Sequence, residues 1–151
     1  ELQAGDKAPG FESIDQDGKS VRLSDYLGKQ LVLYFYPEDD TLNCTNQACN
    51  LRDNYEALRA AGYEILGVSP DDAGSHRKFI DKYNPPFRLV ADTDKKIANA
   101  YDTYGEKNLY GHKVIGIRRW TFLIDEKGII TRIIKKAYTQ RHAEQILKPA
   151  K

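Results

Sequence analysis

Gln30-Leu31-Val32-Leu33-Tyr34-Phe35-Tyr36-Pro37 is the stretch that decides the fold. Residues 31–36 form the longest unbroken apolar run in the chain, apolar at odd and even positions alike. A strand of that kind has to be covered on both faces, which places it in the middle of an α/β sheet. Pro37 has no N–H to give to the ladder and stops the strand. The run is also far too short to span a membrane.

Downstream the period changes. Between 41 or 44 and 61, Ala48, Leu51, Tyr55 and Leu58 recur at steps of three and four, and Gly62 stands where a helix ends. A second buried strand follows at 63–68. A helix at 73–83 carries Phe79, Ile80 and Tyr83 on one face and is halted by Asn84-Pro85-Pro86. Then come a short strand at 87–91 and a helix at 94–104 with Ile97, Ala98 and Tyr101. Residues 105–116 are polar and glycine-bounded, which reads as a loop. Strands at 120–124 and 129–134 pair through the turn 125–128, and a last helix covers 139–147.

Upstream, Phe11-Glu12-Ser13-Ile14, the turn residues 15–18 and Val21-Arg22-Leu23 make an N-terminal β-hairpin, and Ser24 starts a brief helical turn that Gly28 ends. No repeat, low-complexity tract or linker interrupts the pattern, so one domain over 1–151 is expected. The order of elements argues for an α/β sandwich around a central mixed sheet flanked by helices, antiparallel at one edge.

Composition narrows the function. Twenty-three Lys+Arg against 22 Asp+Glu leave a formal charge of +1, without the basic footprint of a nucleic-acid binder. Two cysteines in 151 residues make neither a disulfide framework nor a four-cysteine zinc site. His76, His112 and His142 lack ligand spacing, so no metal is expected. No glycine-rich phosphate loop or other cofactor motif is present. The ten tyrosines are dispersed and fit packing better than base stacking. Nothing from Glu1 onward reads as a targeting signal; because no methionine opens the sequence, a trimmed leader stays open.

The two thiols are not equivalent. Cys44 lies past the end of the central strand, where the chain turns into its first long helix, the position at which α/β folds gather their sites. Unpaired N–H groups and the helix dipole favour a thiolate there. That contribution is ~0.3–1 kcal/mol and at most ~2, or roughly 0.2 to 1.5 in pKa. A thiol near ~8.5 needs a second positive or hydrogen-bonding partner to be ionised at neutral pH. Cys49 sits five residues on, beside Ala48 and Leu51, where packing and chemistry are equally good readings from position alone. In an ideal helix the two Cα atoms stand roughly 8.6 Å apart. A disulfide needs less than ~7 Å, so a Cys44–Cys49 bridge requires the first turns of the helix to unwind.

The stretch from Tyr34 to Asp53, with Pro37, Thr41, Cys44 and Cys49 in the pattern P-x3-T-x2-C-x4-C, closely resembles the active-site segment of peroxiredoxins. More narrowly it resembles the peroxiredoxin Q / bacterioferritin comigratory protein group. Gly5-Asp6-Lys7-Ala8-Pro9, the 15–18 turn and the late Gly116-Ile117-Arg118-Arg119-Trp120-Thr121-Phe122 extend the likeness over nearly the whole chain. One departure stands out: Leu42-Asn43 occupies the place where the group usually has Pro-Gly.

The resemblance implies a thioredoxin-like fold and reduction of hydrogen peroxide and organic hydroperoxides without a cofactor. It implies Cys44 as the peroxidatic nucleophile and Cys49 as the resolving thiol. Thr41 matches the hydroxyl that meets thiolate and peroxide, Pro37 the proline that shields the sulfur, and Arg119 the arginine that reaches in from a later strand. Arg118 competes by composition, but extended backbone sends neighbours to opposite faces. An intramolecular disulfide recycled by thioredoxin or a similar dithiol, a monomer, and the bacterial cytoplasm complete what the group implies. Two other functions compete with this one: a thiol–disulfide oxidoreductase, disfavoured by the C-x4-C spacing, and a non-catalytic thioredoxin-fold binding module such as a holdase.

Overall fold

The central run is strand β3, Gln30–Phe35, and it is buried on both faces. Leu31, Leu33 and Phe35 enter one hydrophobic cluster, while Val32, Tyr34 and Tyr36 enter another on the opposite side. The structure, a computed structural model, describes residues 1–148; positions 149–151 of the expected domain lie outside the described residues.

Around β3 the chain runs through β1 (Glu12–Asp15), β2 (Ser20–Arg22), a short 3-10 helix (Leu23–Tyr26), α1 (Leu42–Asp53), α2 (Tyr55–Ala60), β4 (Tyr63–Ser69), α3 (Ala73–Tyr83), β5 (Arg88–Ala91) and α4 (Lys96–Ala100). It continues through β6 (Tyr104–Leu109), β7 (His112–Ile117), β8 (Thr121–Ile124), β9 (Ile130–Ile134) and α5 (His142–Leu147). Seven strands form one mixed sheet in the order β2-β1-β5-β4-β3-β8-β9. Only β3–β4 and β4–β5 pair in parallel, each joined by helical crossovers; both edges are antiparallel hairpins. Residues of α1, α3 and α5 (Ala48, Leu51, Phe79, Ala143, Ile146) cover one face. The 3-10 helix and α4 (Leu23, Tyr26, Ile97, Ala98) cover the other.

Three expectations need correction. The helix expected through 61 is broken at Asn54, whose backbone N–H and side-chain amide both donate to the Asn50 carbonyl, 3.2 and 2.8 Å away. A side chain that competes for the helix's own acceptor favours such a break. The helix expected over 94–104 is only the five residues of α4. Asp92 caps it from outside, accepting from the N–H groups of Ile97 and Ala98 at 3.0 and 2.8 Å, and Asp102 leaves it with a φ of 59°.

The third correction is the largest. Residues 105–116 are not a loop but most of the antiparallel ribbon β6–β7, separate from the main sheet. Its turn is Tyr110-Gly111, with φ of 52° and 81°, the positive pair that matches a hairpin's twist. Polar strand residues and a Tyr-Gly turn in place of Asn-Gly hid it from the sequence pattern.

Candidate active site

Cys44 is the third residue of α1, which begins just beyond the end of β3, and its side chain is buried. Thr41, in extended conformation, is the residue from which the helix starts; its carbonyl accepts the first helical bond, from Thr45 N–H at 2.8 Å. Its hydroxyl makes no capping bond. It donates instead to the Glu38 carbonyl at 3.1 Å, so the structure does not bring Thr41 Oγ1 onto the sulfur. The N–H groups of the first turn are thus left free of a side-chain cap, beside the thiol.

Arg119 supplies the second partner. It lies in the three-residue link 118–120 between β7 and β8, and its Nη2 donates to Cys44 Sγ at 3.3 Å. Arg118 points elsewhere, to the carbonyls of Glu106 and Asp102. Of the two adjacent arginines, Arg119 is the one at the thiol.

Gln47 was not singled out from sequence. It is fully buried, and its Oε1 accepts from Arg119 Nη1 at 2.8 Å, so both arms of the guanidinium are held. The signal was available: Gln47 is three residues after Cys44, hence on the same helix face, and a buried amide there needs a polar partner. Gln47 Nε2 and the Tyr34 hydroxyl are buried polar atoms without a partner among the described residues. Burial, then the neighbouring Cys44, pushes the Tyr34 phenol well above its ordinary range.

Pro37 is half-buried at the start of the turn that leads from β3 into α1. Cys49 is half-buried in the same helix as Cys44, and both thiols are free. Tyr36, expected in the core, is there, its hydroxyl donating to Asp39 at 2.6 Å.

That bond belongs to a second polar cluster under the turn. Asp39 Oδ2 accepts from Ser75 Oγ at 2.8 Å and meets His76 Nδ1 at 2.7 Å, while His76 Nε2 lies 2.9 Å from the Val90 carbonyl. Asp39 N–H donates to Asp71 at 2.8 Å. Ligand atoms of Asp39, Asp71 and His76 fall within 4.8 Å of one another, a grouping the spacing of the histidines did not reveal. Each is already committed to hydrogen bonds, and the cluster works as an anchor for the 37–41 turn.

Residues 4–133 match the model of the AhpC/TSA family. The chain belongs to this family. Peroxiredoxin Bcp of Bacillus subtilis is 41% identical over 150 residues, covering 99% of this chain and 96% of that protein. A cysteine-to-serine mutant of peroxiredoxin Q from Xylella fastidiosa superposes with a TM-score of 0.89 at 32% identity, covering 97% and 94% of the two chains. The bacterioferritin comigratory protein of Xanthomonas campestris, whose structures address its alkyl peroxide reduction activity, gives a TM-score of 0.83 at 35% identity over 91% of this chain and 87% of that one. The α/β architecture is accordingly the thioredoxin-like fold of peroxiredoxins, with its mixed central sheet and flanking helices.

Proposed function

We propose that the chain is a thiol peroxidase acting through Cys44. The carrying observation is the Arg119 guanidinium 3.3 Å from a buried cysteine sulfur at a helix N-terminus. The Cys44 thiolate attacks one peroxide oxygen, the O–O bond breaks, and the second oxygen leaves as hydroxide or alkoxide and is protonated to water or alcohol. Cys44 is left as a sulfenic acid. Fixed donors aimed at the charge that grows in the transition state lower the barrier of such reactions more than any other single factor. Arg119 and the first-turn N–H groups are so placed, and the Thr41 hydroxyl becomes available on rotation from Glu38.

Cys49 then attacks the sulfenic sulfur, water leaves, and a Cys44–Cys49 disulfide forms; a dithiol restores both thiols by exchange. Pro37 shields the sulfur at the mouth of the turn. Hydrogen peroxide and organic hydroperoxides are the substrates of this reading, thioredoxin the dithiol, and a monomer in the bacterial cytoplasm the working form; the alkyl peroxide reduction studied in the Xanthomonas campestris relative supports the substrate class. A holdase has no use for a guanidinium fixed on a buried sulfur, and an oxidoreductase acting on protein disulfides has no use for a thiol as enclosed as Cys44.

Stopped-flow peroxide consumption by the reduced chain, followed by thiol counting, tests the proposal. The expected result is fast loss of both thiols per peroxide in the native chain. Cys44→Ser abolishes turnover, and Cys49→Ser reduces one equivalent and then stalls. Oxidation of Cys44 no faster than that of a free thiol overturns it.

A further inference from the structure

Asp40 immediately precedes Thr41, from which α1 starts, and its backbone is left-handed, with a φ of 61°. An L-residue resists that conformation, although aspartate tolerates it better than most. It persists where surrounding structure fixes it. Two side chains at the end of α3 do so: Tyr83 Oη donates to Asp40 Oδ1 at 2.7 Å, and Lys82 Nζ to Oδ2 at 2.9 Å.

The two ties are unequal. Lys82 and Asp40 are both exposed, and an exposed ion pair on a long flexible stem contributes little. Tyr83 is half-buried, with its ring centroid 5.2 Å from that of buried Phe79. Its phenol makes a charge-assisted bond to the carboxylate from a ring that packing already holds. The Tyr83 carbonyl is engaged as well. It ends α3, where carbonyls run out of helical donors, and Arg52 Nη1 donates to it at 2.7 Å. Arg52 stands at the end of α1 and Asp40 just before its beginning. One residue therefore grips the chain on both sides of the segment that carries Cys44 and Cys49. Asp39 is fixed in the interior, on Ser75 and His76. The Asp40 bond lies at the surface, where water can replace it.

We propose that Tyr83 is the positioning residue that keeps the start of α1 wound. Its hydroxyl, on Asp40, is the tie that breaks before Cys44 reaches Cys49, while its carbonyl, on Arg52, keeps the far end in place. It touches neither sulfur nor peroxide. The inference rests on the thiol-peroxidase reading.

The test compares the full chain with Tyr83→Phe, Asp40→Gly, the two combined, and Lys82→Met. Two quantities are read: amide hydrogen exchange of the reduced chain, and the rate of Cys44–Cys49 disulfide formation, driven in one arm by hydrogen peroxide and in the other by diamide. Asp40→Gly removes the carboxylate while accepting the left-handed φ, so it reaches the same bond from the other side. Tyr83→Phe and Asp40→Gly are each expected to speed exchange across 45–48 and disulfide formation about tenfold, the value of one hydrogen bond to a charged group. Amides 51–53 keep their protection, the combined variant gains nothing further, and Lys82→Met stays within twofold of the parent. Tyr83→Phe within twofold of the parent in either readout overturns the proposal. So does an undiminished effect of Tyr83→Phe in the Asp40→Gly background, which places its action elsewhere, or a Lys82→Met effect as large, which assigns the tie to the ion pair. A parent that bridges with diamide but not with hydrogen peroxide refutes the peroxidase reading, and the diamide rates then decide on Tyr83 alone.

Discussion

Arg119 holds Cys44 with one arm of its guanidinium, at 3.3 Å, and Gln47 with the other, at 2.8 Å. A planar fork gripped at both ends cannot swing away when substrate arrives. The sulfur and the amide that fixes the fork lie on one face of the same helix, so the helix that carries the thiol also holds the cation beside it.

Replacing Arg119 separates charge from geometry. Arg119→Met is expected to slow Cys44 oxidation by roughly 100-fold or more, the usual effect of losing one preorganised donor. Arg119→Lys keeps the charge but not the fork, and should recover only part of the loss. Gln47→Met leaves the charge in place and frees the fork, and should cost about tenfold, as the net value of a hydrogen bond to a charged group suggests. Stopped-flow tryptophan fluorescence, with Trp120 next to Arg119 as the reporter, measures all three. Arg119→Lys at the native rate would show that charge alone suffices.

Asp39 gathers Tyr36, Ser75 and His76 around one buried carboxylate. Asp39→Ala leaves all three without their acceptor, one of them a fully buried histidine. Leaving a buried polar group without its partner costs about 1–3 kcal/mol. The urea midpoint should fall accordingly. Because Asp39 also sets the turn before Thr41, peroxide oxidation of Cys44 should slow in conditions where the variant is still folded.

Acid should destabilise the protein through His142. This residue is buried, its Nε2 2.8 Å from Thr121 Oγ1 and its Nδ1 2.9 Å from Gln145 Oε1. Burial chiefly, with help from Arg119 and Arg132, pushes it down to about 4 from an ordinary 6.5. The unfolded chain therefore takes up a proton on His142 before the folded one does. Its contribution is complete above about pH 6.5, declines as pH falls, and is exhausted below about 4, roughly 3 kcal/mol in all. Urea unfolding between pH 4 and 7 should show that slope, and His142→Asn should flatten it.

How far the sequence foretold this structure depends on where each signal is stored. The apolar run 31–36 stated its own burial, since residues of both parities had to be covered, and they are. Pro37 as a strand stop and Cys44 at a helix start were legible because turn chemistry and a helix start are local; Thr41 needed the family pattern, and its hydroxyl goes to the Glu38 carbonyl. Arg119 needed the family pattern, for nothing local distinguishes it from Arg118. Gln47, the Asp39–His76 cluster and the β6–β7 ribbon were not read, because their meaning lies in partners far along the chain: 72 residues for Gln47 and Arg119, 37 for Asp39 and His76. The ribbon in particular buries little apolar surface, so its strands carry no alternation to detect.

The Cys44–Cys49 bridge requires α1 to yield, and the structure shows which end will. Thr41, Leu42 and Asn43 are exposed at its start, and the Thr41 hydroxyl is spent on Glu38 rather than on capping. The other end is tied down. Asn50 Nδ2 donates to the Gln140 carbonyl at 3.0 Å, Asn50 Oδ1 accepts from Ala143 N–H at 2.8 Å, and Arg52 donates to the Tyr83 carbonyl at 2.7 Å. Leu51 between them is fully buried. The first turn should therefore unwind and carry Cys44 toward a Cys49 that stays in place. In hydrogen exchange, oxidation should speed the amides of 42–48 while those of 51–53 and Ala143 keep their protection, with a small loss of helical circular dichroism. Asn50→Ala should slow disulfide formation, because Cys49 is no longer held, while leaving the first oxidation of Cys44 unchanged. If a bridged protein shows no change across 44–52, the helix has not yielded; if Ala143 also loses protection, the whole helix has let go and Asn50 is no anchor.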